Sequence, residues 1–127
     1  QYIVTFDSNG NPLEGVRYYK FSLPSEIPAR DFWSVIVYDS QTRLIVNTEQ
    51  QWPSVYCNSK TLKINHDGSV DVWFGPKPPV DNNCNWIITI PGKRWFMILR
   101  LYSPQEAWFD KTWRPGEIEE VKQLVEI

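Results

Sequence analysis

The sequence contains very little of what metal binding or nucleophilic catalysis requires. It has one histidine, His66, and two cysteines, Cys57 and Cys84. Neither cysteine belongs to a CxxC pattern and no cluster of histidines accompanies them, so a zinc site is not expected. His66 falls in a predicted turn, where a solvated side chain is the ordinary state and a general base would need a partner within about 3 Å. We therefore predict no catalytic residue, no metal site and no cofactor.

Long hydrophobic runs and clusters of basic residues are also missing. The densest apolar stretch, residues 95–102, is interrupted by Arg100 and is far shorter than the roughly 20 residues that span a bilayer. The formal net charge is −2 and no run of Lys and Arg is long enough to follow a phosphate backbone. We predict neither a membrane span nor nucleic-acid binding.

Aromatic residues and turn-forming residues are abundant instead. The chain has seven Trp, six Tyr and six Phe, and a buried aromatic ring removes about 150 to 250 Å² from water. Gly, Pro, Asn and Asp interrupt an alternating apolar pattern at short intervals, which is typical of strands joined by turns. The pattern predicts an all-β fold: a two-sheet antiparallel β-sandwich of jelly-roll type, forming a single domain over residues 1–127.

The positions of these turn-forming residues also predict where the individual strands and the helix lie. Strands are predicted at residues 2–6, 17–23, 32–38, 43–46, 61–65, 70–75, 86–90, 94–102 and 119–125. Residues 32–38 are apolar on both faces, which indicates a central strand covered on both sides. A long irregular loop is predicted at residues 47–59, and a hairpin turn is predicted at Asp67-Gly68. Ser103-Pro104-Gln105-Glu106 has the order of a capping box and predicts one short helix near the C-terminus, to about residue 111.

Several of these runs share their order and spacing with a known family. They are residues 7–15, 32–39, 65–69, 85–86, 91–92 and 99–102, with Pro104, Trp113 and Pro115. Through these runs the chain resembles the Domain of Unknown Function 1214 family over nearly its whole length. The resemblance implies a jelly-roll-like sandwich, usually beside the Domain of Unknown Function 1254, in exported or envelope-associated proteins that are periplasmic or secreted. It implies no established activity.

Arg100 is the most informative charged residue, because it lies in a largely apolar strand that also contains Tyr102. A buried guanidinium must be paired, or its burial costs several kcal/mol. One interpretation is an internal pair with Asp39 or with a carbonyl at a strand end. The other is an arginine that lines a cleft and binds a ligand carboxylate or sulfate, with Tyr102 beside it.

Tryptophans in or beside the predicted loops offer a different candidate site. Exposed indole rings can stack on the faces of sugars when Asn and Gln form a polar rim. The rings concerned are Trp52, Trp86, Trp95, Trp108 and Trp113, and the rim would come from Gln50, Gln51, Asn82, Asn83 and Asn85. Trp52, Trp86 and Asn85 are the members selected as candidate ligand-binding residues. The alternative is that these rings cap the core.

Three functional hypotheses follow. The leading one is a non-catalytic accessory or binding domain, with another domain of the same protein as its partner. The second is a carbohydrate-binding module that holds a glycan or another small molecule with its loop tryptophans. The third is part of a hydrolase-type enzyme site around Arg100 that another domain completes. Gln1 stands where a start methionine would, so we expect a fragment or processed form of a larger protein. Cys57 and Cys84 form either a disulfide or two separate thiols.

Overall fold

A computed structural model of the chain describes residues 2–44, 54–57, 62–77 and 85–121. Its elements are β1 (Tyr2–Val4), β2 (Tyr18–Leu23), β3 (Ala29–Asp39), β4 (Ser54–Tyr56), β5 (Val70–Gly75), β6 (Asn85–Ile88), β7 (Trp95–Pro104), α1 (Glu106–Phe109) and β8 (Glu119–Val121). They form two four-stranded sheets, the first in the order β1-β7-β3-β4 and the second in the order β6-β5-β2-β8. The predicted all-β class, with two sheets and one short helix near the C-terminus, is confirmed.

The core lies between the inward faces of the two sheets. In β3 the side chains of Trp33, Val35 and Val37 are buried, and in β2 burial alternates with every second residue. This alternation is the period-2 pattern that predicted the strands. Residues from both sheets join in one buried cluster. β3 lies in the interior of the first sheet, so its prediction as a central strand is confirmed.

The sandwich is not purely antiparallel. Five strand pairs are antiparallel, whereas β5 and β6 run parallel, with Val72 opposite Asn85 and Phe74 opposite Ile87. β4 forms inside the stretch that was predicted as an irregular loop, because Ser54–Tyr56 pairs with the edge of β3. The predicted edge strand near the C-terminus is present as β8, which pairs only with β2 among the described strands.

Two short strands predicted from the sequence, at residues 43–46 and 61–65, do not appear in the described part of those segments. Residues 62–65 are not part of a ladder, although the turn that follows them closes through hydrogen bonds between Asn65 and Ser69 and between Gly68 and Asn65. The physical reason is that β2 and β6 already occupy both edges of β5. Arg43 lies in a turn with a φ of 62°, and its N–H donates to the Asp39 carbonyl. Residues 45–46 of that predicted strand lie outside the described residues.

The helix begins later than the capping-box interpretation placed it, and that interpretation is wrong. β7 continues through Ser103 to Pro104, which pairs with Ala29 of β3. The Ser103 hydroxyl donates a hydrogen bond to the Asp31 carboxylate, and no helical N–H donates to its oxygen among the described bonds. Gln105 is the N-cap and makes no side-chain capping bond, and the helix has only four residues. No helix in the described part of the chain is long and apolar enough to cross a membrane.

Candidate functional site

The first sheet has an outer face, directed away from the core, which we call the Arg100 face. Antiparallel register places side chains opposite each other on the same side of a sheet. Here Phe32 is opposite Tyr102 and Ser34 is opposite Arg100. The face consists of Ile3, Phe32, Ser34, Ile36, Tyr38, Ser54, Tyr56, Phe96, Ile98, Arg100 and Tyr102.

This outer face is only partly covered. Tyr102 is 47% exposed, Tyr56 is 37% exposed and Ile3 is 54% exposed. Within residues 32–38 no outward side chain is exposed, since Ser34 is 4% exposed and Phe32, Ile36 and Tyr38 are half-buried, which agrees with the prediction of a strand covered on both sides. Alternation buries Trp33, Val35 and Val37 on the core side, while the intervening residues belong to the outer face, which water reaches at Tyr102, Tyr56 and Ile3.

Aromatic rings on the Arg100 face pack against one another across the strands. The Phe32 ring lies 5.5 Å from the ring of Tyr102 and 6.1 Å from that of Tyr56. The rings of Tyr38 and Phe96 stack with their centroids 5.3 Å apart. Such contacts each contribute about 0.5 to 1.5 kcal/mol beyond burial and restrict ring motion. The face is thus a preorganised aromatic surface.

Arg100 lies among these rings, and within the described ranges it has no carboxylate partner. Its Nη2 atom donates to the Tyr38 hydroxyl over 3.4 Å, and none of the ion pairs among the described residues includes it. The hydrogen bond to Tyr38 raises the pKa of Arg100, and the neighbouring Tyr102 acts in the same direction while partial burial opposes both. The guanidinium therefore stays charged, and its bond to Tyr38 uses one of its five N–H donors.

The internal pair that the sequence suggested between Arg100 and Asp39 is not formed, so this prediction is wrong. Asp39 has the opposite parity on β3 and is opposite Trp95 on the core side. Its Oδ1 atom accepts hydrogen bonds from the backbone N–H groups of Gln41 and Thr42. These bonds, Thr42 first, lower the pKa of Asp39, and Lys93 Nζ at 3.4 Å from its Oδ2 atom contributes in the same direction.

Asn85 and Trp86 lie in the second sheet, away from Arg100 and Tyr102. The Asn85 side chain accepts a hydrogen bond from the Lys63 N–H and donates to the carbonyls of Lys63 and Asp71, so its amide is used inside the fold. Trp86 is only 9% exposed and its ring lies 6.2 Å from that of Tyr18. Four of the five candidate ligand-binding residues lie in the described part of the chain, and the structure does not bring these four together.

Other predicted residues lie partly outside the described ranges. Trp52 and Cys84 are both outside them, so the proposed contact through Trp52 and the disulfide both stay predictions. The Cys57 sulfur lies 3.4 Å from the backbone nitrogen of Trp33, which donates to it. His66 is exposed in its turn, and no group of three or more potential metal ligands occurs within the described part of the chain.

A second site is a cleft of about 700 Å³ beside α1, which we call the Trp108 cleft. It brings Tyr2 of β1 together with the last two residues of α1 and with residues that follow the helix. Its lining is Tyr2, Trp108, Phe109, Lys111, Trp113, Arg114, Pro115 and Glu117. The sequence pattern identified Trp108 and Trp113 as loop tryptophans. It did not indicate that Tyr2 would lie beside them, because the contact between Tyr2 and Trp108 depends on the pairing of β1 with β7.

A third concavity, of about 430 Å³, is lined by charged residues that pair with each other. Lys93 pairs with Asp39, and the Arg94 guanidinium lies 3.4 Å from the Glu14 carboxylate. Because these charges are already partnered, the cleft has less to offer a ligand than the other two sites.

The fold and its open face define a class, a two-sheet β-sandwich domain with a partly exposed aromatic sheet face. The family described as "Protein of unknown function (DUF1214)" matches residues 1–106, and the chain belongs to this family. The resemblance inferred from the sequence runs is thereby confirmed. The comparison with curated proteins gives no match.

Two solved structures are similar to the chain. The VPA0106 protein from Vibrio parahaemolyticus has a TM-score of 0.80 and 24% sequence identity, over 95% of this chain and 30% of that one. An uncharacterized protein from Burkholderia cenocepacia has a TM-score of 0.52 and 16% identity, over 85% of this chain and 27% of that one. These likenesses show the fold, and the chain spans less than a third of the length of either relative.

Proposed function

We propose that this chain is a non-catalytic accessory domain whose Arg100 face binds another domain of a longer protein. The observation that carries the proposal is the charged Arg100 on a partly exposed aromatic face, without a carboxylate partner among the described residues. Tyr and Arg are enriched at the centres of protein interfaces, where they supply much of the binding energy. The Arg100 face has this composition.

The lengths of the relatives support a domain as the occupant of this face. The two solved chains are each more than three times as long as the part that matches, since this fold accounts for 30% and 27% of them. A longer protein would supply a tethered partner at high effective concentration, so a modest interface would suffice. From the family resemblance we also propose that this domain belongs to an exported or envelope-associated protein.

The chemistry of the face specifies what the partner must provide. A guanidinium that loses water on docking needs a carboxylate in a paired, hydrogen-bonded geometry. The rings of Tyr56, Phe32 and Tyr102 would surround that pair with apolar surface. The partner surface should therefore present an Asp or Glu within an apolar patch.

Arg100→Gln tests the proposal when it is made in both this chain and the longest chain that its gene encodes. In the isolated domain no ion pair is lost among the described residues, so the free energy of unfolding should change by only about 0.5 kcal/mol. In the longer chain a partner carboxylate would stay buried and unpaired, which should cost about 2 to 5 kcal/mol. Denaturant unfolding of both proteins measures the difference.

Arg94→Gln is the matched control, because Arg94 forms an exposed pair with Glu14 outside the Arg100 face. Its effect should be small in both proteins, since exposed ion pairs contribute about 0 to 1 kcal/mol. Equal effects of Arg100→Gln in the short and the long chain would contradict docking through this face.

The second candidate is a hydrolase-type site that another domain completes around Arg100. It stays in consideration because Arg100 is not held in an ion pair in the described structure. The same variant separates the two candidates. A shared enzyme site predicts that Arg100→Gln abolishes turnover by the longer chain without weakening its fold, whereas docking predicts loss of stability with no turnover to lose.

A further inference from the structure

We propose that the Trp108 cleft binds an acidic oligosaccharide, with sugar rings stacked on its aromatic side chains and a uronate carboxylate held by Arg114 and Lys111. This site is separate from the Arg100 face, so the inference does not depend on the proposed docking. It also differs from the sugar site that the sequence suggested, which relied on Trp52 and Trp86.

The aromatic lining provides the surface on which sugar rings would stack. Trp108 is half-buried and Phe109 is 67% exposed. The Tyr2 ring meets Trp108 edge to face, with centroids 6.0 Å apart, and Trp113 supports Trp108 from a centroid distance of 6.2 Å. Rings held in this way contribute contact area without losing much rotamer freedom when a ligand binds.

The segment that forms the cleft is fixed by hydrogen bonds. The Trp113 backbone N–H donates to the Ala107 carbonyl over 3.1 Å. The Trp113 indole N–H is shared between the carbonyls of Pro24 and Ser25, at 3.2 and 3.1 Å. These bonds tie the segment after α1 to the loop after β2. The cleft is therefore largely preformed, which lowers the entropy cost of binding.

The charges in the lining specify an anionic ligand. Lys111 and Arg114 are both exposed, and neither takes part in an ion pair within the described ranges. Among the described residues, Glu117 is the one acidic residue in the lining. Two cations and one carboxylate leave an excess of one positive charge, which a carboxylate of the ligand can neutralise. Arginine suits such an anion because it can form hydrogen bonds to both carboxylate oxygens.

The shape and composition of the cleft favour a sugar acid over other anionic partners. A volume of about 700 Å³ falls within the range of small-molecule sites, roughly 300 to 1,000 Å³. A membrane surface would be met by protruding side chains rather than by a concavity. A uronate combines an apolar ring face with hydroxyl groups and a carboxylate, and the cleft offers aromatic rings, a glutamate and two cations in one place.

A titration with oligogalacturonate tests the proposal. Binding should be saturable in intrinsic tryptophan fluorescence and in calorimetry, because Trp108 would be in contact with the sugar. The fully methyl-esterified oligosaccharide of the same length keeps the ring faces but lacks the charges. It should bind about tenfold more weakly or worse, as expected when a charge-assisted hydrogen bond is lost.

Two exposed substitutions locate the binding in the cleft. Arg114→Gln should weaken oligogalacturonate binding about tenfold, while the control Arg43→Gln, at an exposed arginine outside the cleft lining, should leave it unchanged. Phe109→Ala should weaken binding similarly, with Phe6→Ala, 55% exposed, as its control. Circular dichroism checks that each variant keeps the fold.

The inference is overturned by any of four results. The first is the absence of saturable binding at millimolar oligosaccharide. The second is equal affinity for the acid and its methyl ester, and the third is an equal effect of a cleft variant and its control. The fourth is binding to anionic phospholipid vesicles, but not to oligogalacturonate, that Arg114→Gln abolishes.

Discussion

Gly15→Ala is expected to cost about 3 kcal/mol or more of folding stability, the upper end of the range for overpacking. A Cβ atom at position 15 would lie 1.8 Å from the Ile90 carbonyl oxygen and 2.5 Å from its carbonyl carbon. These atoms belong to the backbone, so they cannot rotate away as a side chain could. Hydrogen bonds from the Gly15 N–H to Lys93 and from the Thr89 hydroxyl to the Gly15 carbonyl hold the two segments together.

Urea unfolding measures the loss of stability in Gly15→Ala and in Gly92→Ala. The comparison separates the cost of a steric overlap with neighbouring backbone from the cost of an unfavourable backbone conformation. Gly92 has a φ of 85° and nothing lies within 4 Å of a Cβ added there. Its replacement should cost only the strain of the left-handed conformation, about 1 to 2 kcal/mol. If the two variants lose the same stability, the contact between residues 15 and 90 is looser than described.

Asn85→Ala is expected to destabilise the domain by about 3 kcal/mol or more. The buried amide of Asn85 satisfies the N–H and carbonyl of Lys63 and the carbonyl of Asp71. Alanine would leave these backbone groups without their partner, and an unsatisfied buried group costs about 1 to 3 kcal/mol. The same bonds attach the segment before the turn at residues 66–69 to the strands β5 and β6.

Asn65→Ala provides the comparison, because Asn65 also bonds twice through its amide but is exposed. Its partners are the Ser69 hydroxyl and the Asp71 carboxylate, each at 3.0 Å. Water can replace those bonds, so we expect a loss of about 1 kcal/mol or less in chemical denaturation. A small effect of Asn85→Ala would instead return Asn85 to the list of candidate ligand-binding residues.

The fold class was predictable because it depends on local alternation. Buried residues at every second position of β2 and β3 require strands with one face on a core, whatever their neighbours are. The order of the strands within each sheet was not accessible in this way. Residues 62–65 have the composition of a strand, but β2 and β6 take both edges of β5, and competition between distant segments leaves no mark on local pattern.

The candidate site was predictable only in part. Arg100 stands out in the sequence as a charge in an apolar strand, and Tyr102 shares both its strand and its face. Alternation along β3 puts Asp39 on the core side with Val37, whereas the placement of Arg100 on the other side follows from the pairing of β7 with β3, which was not foreseen. The Trp108 cleft depends on bringing Tyr2 beside residues 108–117, and sequence spacing gives no measure of that distance.

The most direct measurement of the central claim is the rate of hydroxyl-radical oxidation of Tyr102 and Tyr56 in this chain and in the longest chain that its gene encodes. Both rings are exposed on the Arg100 face here, at 47% and 37%, and Phe109, 67% exposed outside that face, serves as the internal reference. Docking predicts that both tyrosines react several-fold more slowly in the longer protein relative to Phe109. Equal relative rates in the two proteins would contradict the account.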